Sequence, residues 1–147
     1  MFQIELLKWC IGVETRVANW ENLLVQYLED CRNKPFKWGE HDCALFTAKW
    51  EKILINKSRF SEFFNKYKTA LGSFRALKKY GKGDLVSTVD AKLDKIDKKK
   101  ITRGDIVSVN TNEGIALGIY TGNKIAVVSL DGLIFLSLDD AIDCWRI

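Results

Sequence analysis

The chain has 147 residues, of which 47% are hydrophobic and five are tryptophan, and its formal net charge is +4. This size and composition suit one folded domain with a buried core and exclude a disordered chain. The modest charge, with no aromatic residues interleaved in the basic run 98–100, argues against a nucleic-acid partner. The apolar stretch 2–13 carries Glu5 and Lys8 and is too short to span a bilayer, so we predict no membrane span.

The cysteines are widely spaced along the chain. They stand at Cys10, Cys31, Cys43 and Cys144, and no two of them form a Cys-x-x-Cys pair. This spacing argues against a disulfide framework and against a structural zinc site. We therefore predict synthesis in a reducing compartment, with neither a metal nor a cofactor.

In chain order, the sequence predicts an extension, then helices, then strands. Residues 1–18 are expected to form an apolar N-terminal extension to a single domain over residues 19–147. Apolar side chains recur at helical spacing after Asn19, which is the expected N-cap of the first helix. The predicted helices cover residues 20–31, 43–56, two short segments between 60 and 80 separated by Gly72, and a weaker segment 84–93.

The apolar period changes to that of strands after residue 105. Turn signals such as Asp131-Gly132 separate the apolar runs and favour tight hairpins. The predicted strands cover residues 106–109, 116–120, 125–128, 133–136 and 144–147. Helices followed by four or five short antiparallel strands predict an α+β domain, in which a helical N-terminal half packs on a small curled sheet.

The most informative stretch runs from Pro35 to Lys49. Pro35 and Gly39 predict a rigid loop with a tight turn, and the helical pattern begins at Cys43. Asp42 is the expected N-cap of this helix. Cys43 then lies in the first turn, where unpaired N–H groups and the helix dipole favour a thiolate. Cys43 is therefore the candidate nucleophile, and Asp42 is the cap that orients it.

These motifs resemble those of the NlpC-type, papain-like cell-wall cysteine peptidases. Trp38-Gly39 followed by Asp42-Cys43 is similar to their nucleophile motif, and residues 103–107 and 117–122 are similar to their two sheet motifs. More narrowly, the order of motifs over residues 19–147 resembles a small phage and gene-transfer-agent tail family of unknown function with an NlpC-like fold. From the resemblance, Trp38 and Gly39 are the candidate substrate-binding residues. For Trp38 we favour packing of the loop against the core over stacking on a sugar.

The chain departs from the peptidase pattern at the general base. In the peptidases, a histidine on the strand that faces the cysteine is the base, and the corresponding residue here is Ala116. The only histidine of the sequence, His41, precedes Cys43 by two residues. His41 is a weak candidate base, because a base must be held within hydrogen-bond reach of the thiol. We favour a loop histidine held by hydrogen bonds over a catalytic base. Without the strand histidine, we also favour a helix-start thiol with no chemistry over a working nucleophile for Cys43.

Two functions follow from the resemblance. The first, which the missing strand histidine favours, is a structural or assembly protein of a phage-like tail tip. It would be made in the host cytoplasm, would reside in the virion tail, and would bind other tail-tip proteins. The second is a peptidoglycan cysteine peptidase or amidase, in which Cys43 attacks the amide carbonyl and His41 or a partner's residue is the base. A peptidoglycan-binding module without activity is a third interpretation.

Overall fold

The computed structural model describes residues 15–147, so most of the predicted extension over residues 1–18 lies outside the described residues. The described helices are α1 (Trp20–Cys31), α2 (Cys43–Ile55), α3 (Ala70–Tyr80) and α4 (Leu85–Asp90). The strands are β1 (Asp94–Ile96), β2 (Ile106–Thr111), β3 (Gly114–Tyr120), β4 (Ile125–Ser129), β5 (Gly132–Leu136) and β6 (Ala141–Arg146). The predicted α+β class is confirmed. Between residues 15 and 147, no helix is both long and apolar enough to cross a bilayer.

The helical half differs from the prediction at three points. The first of the two short helices expected between residues 60 and 80 is a single 3-10 turn, Ser61–Phe63. The second is α3, which includes Gly72 because its cap is Thr69, whose hydroxyl oxygen accepts the Gly72 N–H at 3.0 Å. Asn19 is the N-cap residue of α1, as predicted, but its side chain makes no capping hydrogen bond.

The strands form one open antiparallel sheet with the order β1-β6-β2-β3-β4-β5. It has six strands, whereas the sequence predicted four or five. The additional strand is β1, which pairs with β6 at the edge of the sheet. Its three residues are exposed or half-buried and lack an alternating apolar pattern, so the sequence carries no strand signal there.

Alternation along the strands divides the core between the two faces of the sheet. The main core lies on the helix side, where Phe46 and Trp50 of α2 pack with Leu117 and Ile119 of β3. A second cluster lies on the opposite face, and Ala116 packs against it. Adjacent residues of β3 therefore belong to different faces.

The segment before β2 joins the sheet to both ends of the described chain. Asp105 is fully buried, and its carboxylate contacts Arg16 at 3.0 Å and Arg146 at 3.2 Å. Trp50 of α2 donates an indole hydrogen bond to the Gly104 carbonyl oxygen at 2.9 Å. The Gly104-Asp105 motif therefore fixes the sheet to α2, and Arg16, which the sequence assigned to the extension, is bound to the domain.

Candidate functional site

The loop before α2 has the tight turn that the sequence predicted. Lys37 and His41 form an isolated antiparallel bridge, with backbone hydrogen bonds of 3.1 and 2.8 Å. Gly39 lies at the tip with a φ of +78°, and a Cβ there would stand 1.9 Å from the Tyr67 carbonyl oxygen. The turn therefore requires glycine both for its backbone conformation and for its close approach to Tyr67. In this structure, Gly39 packs the loop against the segment before α3.

Asp42 caps α2, as the sequence predicted. One carboxylate oxygen accepts the Leu45 N–H at 2.9 Å, and the other accepts the Gly39 N–H at 2.9 Å and the Tyr67 hydroxyl at 2.7 Å. The residue is 1% exposed. A buried carboxylate is stabilised by such a set of donors. Asp42 therefore fixes the loop, the start of α2 and Tyr67 together beside Cys43.

Cys43 lies at the start of α2, but its surroundings do not favour a thiolate. The pKa of the Cys43 thiol is raised to about 11, mainly by burial and in addition by the charge of Asp42. Hydrogen bonds with the backbone of Leu117, Ala44 and Cys43 itself act in the opposite direction. Burial outweighs these hydrogen bonds, so at neutral pH the side chain is a protonated thiol.

The strand opposite Cys43 offers no base. The backbone of Leu117 contacts the thiol, and the Leu117 side chain packs in the core on the helix side. Ala116, the position that the resemblance assigned to the base, packs on the opposite face of the sheet. Because side chains alternate along a strand, Ala116 and Leu117 point to different faces. The residue of this strand that faces Cys43 is therefore a leucine.

His41 is buried and packs against α2. Its ring packs edge-on against Phe46, with 5.9 Å between ring centroids, and the residue is 8% exposed. In the described part of the chain, its buried Nε2 has no hydrogen-bond partner. Burial lowers the pKa of His41, and the nearby charges of Lys34 and Lys49 lower it further. His41 is therefore a neutral ring packed in the core, and it is not among the main influences on the Cys43 pKa.

A cavity of about 510 Å³ opens beside Cys43, in the size range of ligand sites. Its walls come from the start of α2, from α3 and α4, and from the β2–β3 hairpin. Trp38 lies at its edge, 38% exposed, with its ring packed edge-on against Phe36. The predicted site residues Trp38, Asp42 and Cys43 thus share one cavity, whereas His41 and Gly39 are not among its lining residues.

Tyr67 is the residue of this site that sequence reasoning missed. From the sequence, residue 67 belongs only to a predicted short helical segment, yet the Tyr67 hydroxyl donates to Asp42 at 2.7 Å. Burial raises the pKa of Tyr67, and the Asp42 charge raises it further, so the hydroxyl stays protonated and cannot act as a base. No sequence signal identifies this pair, because 25 residues separate its members.

Over residues 15–147, no group of three or more His, Cys, Asp or Glu side chains is placed to hold a metal ion.

The family model described as "Domain of unknown function (DUF6950)" matches residues 15–147. The match covers almost all of the chain and starts at the first described residue. It includes the loop, α2 and the whole sheet, so every residue of the cavity belongs to the matched region. A search of curated proteins gives no significant match.

Proposed function

The chain belongs to the DUF6950 family, and we propose that it is a non-catalytic component of a phage or phage-like tail tip, built on an NlpC-like scaffold. The similarity of Trp38-Gly39, Asp42-Cys43 and Gly104-Asp105 to NlpC-type motifs supports the proposed scaffold. The helix-then-sheet order is compatible with it. Fold similarity alone does not give activity, so the function has to be argued from the site.

The observation that carries the proposal is the absence of a general base beside Cys43 in the described residues. A cysteine peptidase needs a base within hydrogen-bond reach of the thiol and a third group that orients the base. The side chain that faces the thiol from β3 is Leu117, and the ring of His41 packs on Phe46. The charged side chain that acts on Cys43 is Asp42, and its negative charge raises the pKa of Cys43.

The raised pKa of Cys43 and the missing general base each lower the expected rate of catalysis by orders of magnitude. With a pKa of about 11, about one Cys43 side chain in 10⁴ is a thiolate at pH 7. A missing general base removes a further factor of about 10²–10⁴ in rate. The backbone N–H groups at the start of α2 could still stabilise an oxyanion, but the nucleophile and the base are the groups that form it.

A structural role agrees with the loop contacts and the cavity around Cys43. Asp42, Tyr67 and Gly39 hold the loop in one conformation, and the cavity behind the loop stays open. Binding without chemistry requires this rigidity and shape but no activated thiol. In the proposed role the protein is made in the host cytoplasm, is incorporated into the virion tail, and contacts other tail-tip proteins.

Genetic complementation tests the proposal. The gene is deleted from the phage-like element that encodes it, and the wild-type chain or Cys43→Ala is supplied in trans. Particles are then counted, imaged by electron microscopy and analysed by mass spectrometry. We expect the deletion to give defective tails, and both chains to restore them and to be present in purified particles.

Two results would contradict the proposal. Intact, infectious tails after the deletion would remove the tail role. Restoration by the wild-type chain but not by a stably expressed Cys43→Ala chain would show that the thiol performs chemistry. The thermal melting temperature of Cys43→Ala distinguishes loss of chemistry from loss of folding.

A further inference from the structure

We propose that the cavity beside Cys43 binds an extended apolar peptide segment of a partner protein, with a basic residue at the cavity mouth, as a short strand added to β3. This inference rests on the proposed function, since it assigns the binding role to the site where a peptidase would bind substrate. It names the chemistry of the partner and the edge of the sheet that receives it. Three independent features of the described residues support it.

The first feature is an open strand edge. On one side, β3 pairs with β2 over six positions, from Thr111 with Gly114 to Ile106 with Ile119. On the other side, β4 pairs with β3 only at Ile119 and Tyr120. Within the described chain, the first five residues of β3 therefore have no strand partner on the β4 side. The Leu117 backbone already contacts the Cys43 thiol, and Gly118 lies close to the Ala126 carbonyl oxygen of β4, so the open part of the edge is 114–116. Unpaired strand edges of this kind accept a further strand.

The direction of the backbone groups follows from the ladder. The Tyr120 N–H donates to the Asp105 carbonyl oxygen on the β2 side at 2.9 Å. Backbone groups alternate along an antiparallel strand, so those of Ile115 and Leu117 point to the β4 side. The contact between the Leu117 backbone and the Cys43 thiol agrees with this direction. Ile115 therefore presents both its N–H and its C=O to an incoming peptide.

The second feature is the apolar character of the cavity and its mouth. Three large apolar side chains line the cavity and are nevertheless exposed: Phe74 at 59%, Ile115 at 42% and Trp38 at 38%. Exposed apolar groups that surround a concave site mark binding surfaces. An extended peptide would place alternate side chains into the cavity while its backbone pairs with Ile115.

The third feature is charge. The lining includes four acidic residues, Asp42, Glu51, Asp84 and Glu113, and among its described members no Lys, Arg or His. Asp42 and Glu51 are buried and hydrogen-bonded within the domain, whereas Asp84 and Glu113 are exposed. The chain as a whole carries a net charge of +4, so this site has the opposite sign to the whole chain. A basic residue flanking the apolar segment matches the two exposed carboxylates.

The test is a titration of the full-length, ¹⁵N-labelled protein, monitored by NMR. The probe is an acetylated and amidated hexapeptide with the sequence Lys-Val-Leu-Val-Leu-Gly. One matched peptide has Glu in place of Lys. Another carries a backbone N-methyl group on the first of its two Leu residues. We expect amide shifts at Gly114 and Ile115 with the Lys peptide, and slower hydrogen exchange at Ile115. Both matched peptides should bind about tenfold more weakly, because each loses one class of contact.

Variants of the protein locate the peptide. Ile115→Ser should weaken binding about tenfold, while Ile142→Ser, a similarly exposed strand residue (51%) outside the cavity, should not. Asp84→Asn with Glu113→Gln should abolish the preference for Lys over Glu, and Asn at position 84 can still cap α4. Asp139→Asn, an exposed carboxylate outside the cavity, serves as the charge control.

The following results would overturn the inference. Absence of shifts at millimolar peptide, or binding that Ile115→Ser and Ile142→Ser alter equally, would exclude this site. A dimer in light scattering that Phe74→Ser dissociates would identify a second copy of the chain as the occupant. Mass spectrometry of the peptide separates the two proposals. A cleaved peptide would contradict the non-catalytic function, whereas an intact, unbound peptide would contradict only the binding site.

Discussion

The hydroxyl of Tyr67 donates a 2.7 Å hydrogen bond to the carboxylate of Asp42, and this bond connects the segment before α3 to the cap of α2. The contact lies beside Cys43, whose charge would raise the pKa of Tyr67 further. Around a reactive thiol, a positive or hydrogen-bond-donating partner would be expected. Here the tyrosine proton is committed to Asp42, and the arrangement stabilises the loop.

Removal of the Tyr67 hydroxyl tests this role. We expect Tyr67→Phe to lower the free energy of unfolding by about 1.5–3 kcal/mol, because Asp42 is left with one donor fewer in a buried position. Asp42→Ala should cost about 3 kcal/mol or more, since it also removes the helix cap and the Gly39 contact. Urea denaturation measures both values. If the double variant lost the sum of the two single losses, the two residues would not be coupled.

Gly39 should tolerate no side chain. A Cβ at this position would lie 1.9 Å from the Tyr67 carbonyl oxygen, and the φ of +78° is already unfavourable for other residues. We expect Gly39→Ala to destabilise the fold by about 3 kcal/mol or more, from backbone strain together with displacement of the loop. Gly83→Ala is the matched control, since Gly83 has a φ of +97° but no atom within 4 Å of an added Cβ. It should cost only about 1 kcal/mol, and equal losses would disprove the steric argument.

His41 should make stability depend on pH. Its pKa is lowered by burial and by the charges of Lys34 and Lys49, so the unfolded chain binds the proton more readily than the folded one. The folded state is therefore favoured above the ordinary histidine pKa, and this contribution is lost as the pH falls through the lowered value. Between pH 7 and pH 5, the urea midpoint of the wild-type chain should fall more than that of His41→Gln. Parallel curves for the two proteins would contradict a neutral, buried His41.

The Cys43 thiol should react slowly with alkylating agents. Because burial raises its pKa to about 11, about one side chain in a thousand is a thiolate at pH 8. The alkylation rate with iodoacetamide, followed by mass spectrometry of the Cys43 peptide, should rise about tenfold per pH unit between pH 7 and pH 9. A rate that is already constant at pH 7 would indicate an activated thiolate.

Much of the fold was readable from local sequence patterns. The apolar spacing after Asp42 predicted α2 to within one residue, because cap, period and burial agree there. The strands β2 to β5 were located by alternation and by turns with glycine. The edge strand β1 was missed because its pairing with β6 depends on contacts between distant residues, and its own side chains carry no pattern.

The candidate site was predictable only in part. The sequence located Asp42 as a cap and Cys43 in the first turn, since both depend on neighbours in the chain. The position of Ala116 on the far face and the contact of Leu117 with Cys43 depend on strand direction, which the sequence motif did not give. Tyr67 reaches Asp42 only through the folded loop. Local chemistry was therefore visible in the sequence, and the environment that weakens the nucleophile was not.

Digestion of purified peptidoglycan sacculi tests the central claim, that Cys43 is not a working nucleophile, most directly. The wild-type protein, Cys43→Ala and His41→Ala are incubated with sacculi, alone and with the proposed tail-tip partners. Released muropeptides are separated by chromatography and identified by mass spectrometry. We predict that all three proteins release no more muropeptides than buffer does. Release by the wild-type protein that Cys43→Ala abolishes would contradict the claim and would show that a base acts on Cys43.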